Sequence, residues 1–146
     1  MAHVRKQVRS WVKGNLMGST AAGGRVFVSR TNPLPDALQP TLLIAVQNER
    51  SADVSAQGSQ RRDIAVRVTA CAKGDAEATE DTLDQLAVFV ESVFAADPTL
   101  GGLAETYEYQ STEFEFNGSG EKTLCTAALT FAVTLFTART DPETSI

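Results

Sequence analysis

The run Lys122–Ala138, KTLCTAALTFAVTLFTA, limits the folds open to this chain more than any other stretch. Its odd positions from Cys125 are Cys125, Ala127, Leu129, Phe131, Val133 and Leu135, and the even positions between them are Thr126, Ala128, Thr130, Ala132 and Thr134. Alternation with period 2 puts one wholly apolar face and one face of small Thr and Ala on a single strand. Strands usually run about 5–6 residues, so an alternation of eleven marks a long one. Such a strand belongs inside a sheet, and its apolar face needs a covering layer.

Residues 75–95 offer that layer. Leu83, Leu86, Ala87, Val90, Val93 and Phe94 recur at i, i+3, i+4, i+7, i+10 and i+11, the spacing of an amphipathic helix. Glu77, Glu80, Asp81 and Asp84 crowd its first turns, where the helix dipole favours anions, and Asp97-Pro98 with Gly101-Gly102 ends it. Leu86 and Val90 are expected above Leu129, Phe131, Val133 and Leu135. A second helix is predicted over residues 4–16, with Val4, Val8, Trp11 and Val12 on one face and Arg5, Arg9 and Lys13 in a stripe on another. The Thr/Ala face of the long strand is too mild for open solvent and is expected to be covered, by this first helix in preference to a neighbouring subunit.

The remaining segments complete the layout. Residues 25–29 (RVFVS) and 41–47 (TLLIAVQ) read as strands, joined by a stiff segment with Pro33, Pro35 and Pro40. Residues 62–72 alternate again, with Ile64, Val66, Val68 and Ala70 opposite Asp63, Arg67 and Thr69. Between them, residues 48–60 (NERSADVSAQGSQ) show no periodicity and predict a long contact loop, about 48–62, at the tip of a hairpin. Residues 106–116 form a strand whose aromatic frame changes from Tyr107 and Tyr109 to Phe114 and Phe116, the mark of a β-bulge or bend. Residues 117–120 (NGSG) predict the turn into the long strand, and 139–146 a polar tail. The expectation is one α+β domain over residues 1–146, with a mainly antiparallel or mixed five-stranded sheet and two helices in the order α-β-β-β-α-β-β.

Candidate chemistry is sparse. The only histidine, His3, lies beside the N-terminus, so no base stands near a Ser or Cys nucleophile. Cys71 and Cys125 fall in strands and read as buried free thiols, and two Cys with one His make no zinc site. Gly18 and Gly23 have P-loop separation, but Gly24 and Arg25 stand where Lys and Ser/Thr are required. Glu108, Glu113 and Glu115 are best explained by solvation. A sequence pI near 4.8 speaks against a sequence-specific nucleic-acid reader. Neither a signal peptide nor an apolar run of the ~18 residues a membrane helix needs is found, so the chain is expected to stay where it is made. No enzymatic activity, cofactor or metal is expected.

The net charge of −5 conceals a division. Residues 1–62 carry nine Lys/Arg and three Asp/Glu, hence +6, and residues 63–146 carry four and fifteen, hence −11. If the halves occupy different faces, the surface suits head-to-tail contact between copies or an acidic partner.

Four stretches in order carry a resemblance: TAAGGRVFVSR (20–30), PTLLIAVQNE (40–49), RRDIAVRVTA with LDQLAVFVESVF, and ALTFAVTLFT (128–137). Together they resemble the tail terminator family of long-tailed, lambda-like phages, the minor tail protein U-like group. The family has Leu-Pro before the second strand, where this chain has Leu38-Gln39-Pro40. The resemblance implies a structural virion protein, assembled in the host cytoplasm. It would form a hexameric ring on the head-proximal end of the tail tube, stop tube polymerisation and offer the surface for head-completion proteins. DNA would pass the channel without sequence-specific binding, and no membrane is involved. On this reading Glu49, Arg50, Arg61 and Arg62 are expected at a tube or subunit contact, and Arg5, Arg9, Lys13 and Arg30 at a ring or partner surface. Two other readings fit the residues: a head–tail completion or connector protein of the neck, and a cytoplasmic ligand-binding α+β domain.

Overall fold

A computed structural model describes residues 2–18, 22–23, 25–28, 40–119 and 122–146. The elements run α1 (Val4–Leu16), β1 (Val26–Val28), β2 (Thr41–Asp53), β3 (Ser59–Gly74), α2 (Ala76–Ala96), β4 (Thr106–Ser119), β5 (Lys122–Ala138) and β6 (Asp141–Ser145). The class is α+β: two helices on one mixed six-stranded sheet of order β1-β2-β3-β5-β4, with β6 also paired to β5. As its alternation requires, β5 is interior. It pairs antiparallel with β3 from Ser59↔Ala138 to Gly74↔Thr123 and with β4 from Thr106↔Thr134 to Ser119↔Lys122.

One face of the sheet holds the main core cluster. Leu42 and Ile44 of β2, Ile64, Val66, Val68 and Ala70 of β3, and Leu129, Phe131, Val133 and Leu135 of β5 are buried there with Leu83, Leu86, Val90 and Phe94 of α2. Phe94 stacks on Phe131 with ring centroids 4.0 Å apart and planes 7° from parallel. Tyr107 lies 5.4 Å from Phe94 on the β4 side, and Trp11 meets Phe94 edge-on at 6.1 Å on the other. Such ring pairs add about 0.5–1.5 kcal/mol beyond their burial. After α2 the chain turns tightly through Gly101 (φ +70°), where a Cβ would stand 3.1 Å from Trp11 Nε1.

Several expectations need correction. The first helix does not cover the Thr/Ala face: Val4, Val8, Val12 and Leu16 join the same core as α2. The sheet is wider than one helix, so α2 packs on β3 and β5 while α1 fills the remaining apolar width over β1 and β2. Among the described residues no helix lies on the face of Thr126, Ala128, Thr130, Ala132 and Thr134, where Ala128 is buried and the others are half-buried. The loop expected at 48–62 is mostly strand, because Asn48↔Ala65 to Asp53↔Gln60 continue the β2–β3 ladder and only residues 54–58 turn. Residues 117–119 extend β4, and Gly120, placed at the expected turn, lies outside the described residues. The polar tail is largely β6, joined to β5 through Thr137↔Ser145 and Ala138↔Asp141. β1 pairs parallel with β2, which makes the sheet mixed.

The frame change in β4 is a register shift between Tyr109 and Ser111. The extra residue, Gln110, lets Tyr107, Tyr109, Phe114 and Phe116 all face the helix layer despite their change of parity. Phe94→Ala should cost about 3–5 kcal/mol of unfolding free energy, and Leu86→Asp, a buried unpaired charge, should abolish the cooperative melt. Chemical denaturation and thermal melting check both, and a normally melting Leu86→Asp protein would contradict this core.

Candidate interaction surface

The β2–β3 hairpin was expected to carry contact residues, and its register decides which way each points. A shift between Val46 and Asn48 inserts Gln47 and reverses the parity of β2 beyond it. Glu49 therefore shares the helix face with its partner Ile64, while Arg50, opposite Asp63, shares the helix-free face with Arg61. The four predicted contact residues fall into two pairs on opposite faces.

Arg62 is interior, 8% exposed. Its Nε donates to Thr137 Oγ1 at 2.9 Å, Nη1 to Glu49 Oε2 at 2.9 Å and Nη2 to Gln60 Oε1 at 3.3 Å. The guanidinium thus joins β2, β3 and the end of β5 and has little left for a partner. Glu49 Oε2 also accepts from Ser51 Oγ at 2.9 Å. Glu49 Oε1 is buried without a hydrogen bond, with Arg5 Nη1 3.9 Å away. Arg61 lies open, its side chain 51% exposed and paired with Asp63 at 3.2 Å. An exposed pair of this kind is worth about 0–1 kcal/mol, so Arg61 and Arg50 are free to meet another surface. They border a concave region of about 750 Å³ on the helix-free face, with Asp63, Glu108 and Thr134.

The basic stripe of α1 survives as a surface feature. Arg5 keeps 44% of its side chain exposed and Lys6 is open to solvent, whereas the Nε of Arg9 is buried without a hydrogen-bond partner. Arg30 lies outside the described residues. His3 caps α1: its Nδ1 accepts from the backbone N–H of Arg5 at 3.1 Å. Burial first, then Arg5 and Arg62, hold its pKa below the ordinary histidine value. Gln7 Nε2 donates to the Glu143 carbonyl at 2.7 Å and so ties α1 to β6.

The patch that sequence reasoning missed is on β4. Phe114 and Phe116 are 52% and 51% exposed. With Leu83, Glu80 and Asp84 they line a groove of about 290 Å³. The signal was available in two large aromatics on one face of the strand, but nothing in the sequence marks β4 as an edge strand with α2 too far away to cover them.

Among the described residues, no group of three or more His, Cys, Asp and Glu is placed to hold a metal ion. Cys71 and Cys125 are buried free thiols on opposite faces of neighbouring strands, one opposite Thr126 and the other opposite Ala72. Burial raises the Cys71 pKa to about 11, and burial followed by the Glu80 charge raises that of Cys125, so both resist forming the reactive thiolate. Glu108, Glu113 and Glu115 are exposed on β4. No protein-family model matches the sequence, and comparison with curated proteins finds no match.

Arg62→Ala leaves Glu49 buried without its cation and should cost about 3–5 kcal/mol, whereas Arg61→Ala should stay within about 0.5 kcal/mol; urea denaturation of the two variants measures the contrast. His3 binds protons less readily folded than unfolded. Stability from this residue is therefore complete above the unfolded value of about 6.5 and declines as pH falls from there toward the lower folded pKa. His3→Asn keeps a capping side chain without a titrating group, so the melting temperature of the wild type should fall more than that of the variant between pH 7 and pH 5.

Proposed function

We propose that this chain is a structural virion protein of the tail-terminator kind, forming a hexameric ring that caps the head-proximal end of a phage tail tube. In that role it stops tube growth and presents the surface on which head-completion proteins dock, while DNA passes through the ring. The reading begins from the ordered resemblance of four sequence stretches. The structural observation that best supports it is the placement of charge. Arg5, Lys6, Arg9 and Lys13 belong to α1 and Arg50 to β2, while Glu77, Glu80, Asp81, Asp84 and Glu91 belong to α2 and Glu108, Glu113 and Glu115 to β4. α1 lies over β1 and β2 at one end of the sheet order β1-β2-β3-β5-β4, and β4 is the strand at the other end. Rings are built from heterologous contacts, in which two different surfaces of one subunit meet, and a molecule with one cationic and one anionic edge has such a pair.

Arg50 and Arg61 are the hairpin residues left available for the tube, since Arg62 and Glu49 are engaged with each other. Electron microscopy of the purified protein, alone and mixed with phage tail tubes, tests the assignment. Six-fold rings seated on tube ends are expected. Rings seated only on portal complexes would instead make it a neck connector, and monomers or dimers that ignore tubes would overturn the phage reading. Arg50→Glu with Arg61→Glu should leave a folded protein whose capping of tubes is lost.

A further inference from the structure

Each charged edge of the molecule lies along the outward flank of the helix above it. On α1 the buried line is Val4, Val8, Val12 and Leu16, and Trp11 turns toward Phe94 of α2. At about 100° per residue, Arg5, Arg9 and Lys13 fall on the flank away from α2, beside β1 and β2. On α2 the buried residues are Leu83, Leu86, Val90 and Phe94. Glu80, Asp84 and Glu91 fall together on one flank, and Glu80 and Asp84 border the Phe114–Phe116 groove. Val88 of the same helix is 64% exposed. The acidic flank therefore frames an apolar patch on a strand that, among the described residues, pairs only with β5, and apolar surface framed by charge is typical of a protein interface.

We propose that this groove receives the α1–β1 edge of a second copy of the chain. Arg5, Arg9 and Lys13 of one copy face Glu80, Asp84 and Glu91 of the next. The aliphatic stems of those cations, with Met17, 41% exposed at the end of α1, close over Phe114 and Phe116. Two facts on the molecule select this occupant. The charges are complementary between the edges and repulsive within each, so like edges cannot meet and the contact is head-to-tail. Arg5, Arg9 and Lys13 repeat at i, i+4, about 6 Å along a helix, and Glu80 and Asp84 have the same spacing, so two pairs can form at once. The contact rests on the ring reading only for its closure; the pairing of the edges stands on charge and apolar exposure.

The test uses the full chain in low salt, where surface electrostatics are least screened. E80K with D84K should melt normally, and R5E with K13E, which sets a carboxylate beside Glu49, should melt lower but still cooperatively; each should sediment as a monomer at concentrations where the wild type associates. A chain carrying all four changes, or an equimolar mixture of the two double variants, should regain association. Phe114→Ser with Phe116→Ser should lose it with no change of charge. Association of either double variant at the wild-type level, failure of the four-change chain to recover, or a wild type that stays monomeric at millimolar concentration would each overturn the proposal. Self-association without tube binding would overturn the phage reading alone, and tube capping by the charge-swapped double variants would overturn the edge contact alone.

Discussion

The ladder between β3 and β5 is the constraint on which the rest depends. Its register runs unbroken from Ser59↔Ala138 to Gly74↔Thr123, so the apolar sets of both strands must face the same way. Ile64, Val66 and Val68 then lie beside Val133, Phe131 and Leu129, and a slip of one residue would turn one set out of the core. Once that face is fixed, both helices must lie on it, since each has one apolar stripe and nothing else to bury it against. The consequence, among the described residues, is a sheet with both helices on one face and none on the other.

The bulges act on this frame at two places. The one after Val46 moves Glu49 to the helix face, where Arg62 can reach it, and leaves Arg50 on the other. The one after Tyr109 keeps four aromatic side chains on the helix face of β4 across a change of parity. Two single-residue insertions therefore decide which hairpin cations remain available and where the exposed aromatic pair sits. The ring and edge contacts proposed for this chain draw on both.

Much of the fold was legible in the sequence where burial imposes a period. α1, α2 and the core faces of β3 and β5 follow directly from apolar spacing. What was not legible lies where pairing replaces burial. Residues 48–53 and 141–145 are polar, and their strand character comes from hydrogen bonds to β3 and β5, which leave no pattern in side-chain hydropathy. The placement of α1 depends on the width of the sheet, a tertiary quantity. Of the hairpin residues expected at a contact, Arg61 and Arg50 are exposed. Arg62, beside Arg61 in sequence, is sealed because alternate residues of a strand face opposite ways and its own side chain meets Glu49, Gln60 and Thr137.

β4 leaves one side of a fourteen-residue strand unpaired in the sheet, and an edge of that length is normally an invitation to unregulated strand addition. Glu108, Glu113 and Glu115 alternate along it and the inserted residue near Gln110 bends it, so a second β4 brought alongside would place carboxylate against carboxylate on a curved backbone. These three acids, on the face of β4 away from the Phe114–Phe116 groove, thus act as a solubility guard against fibrous stacking. That guard is electrostatic, and it weakens in acid, where carboxylates take up protons, and in high salt.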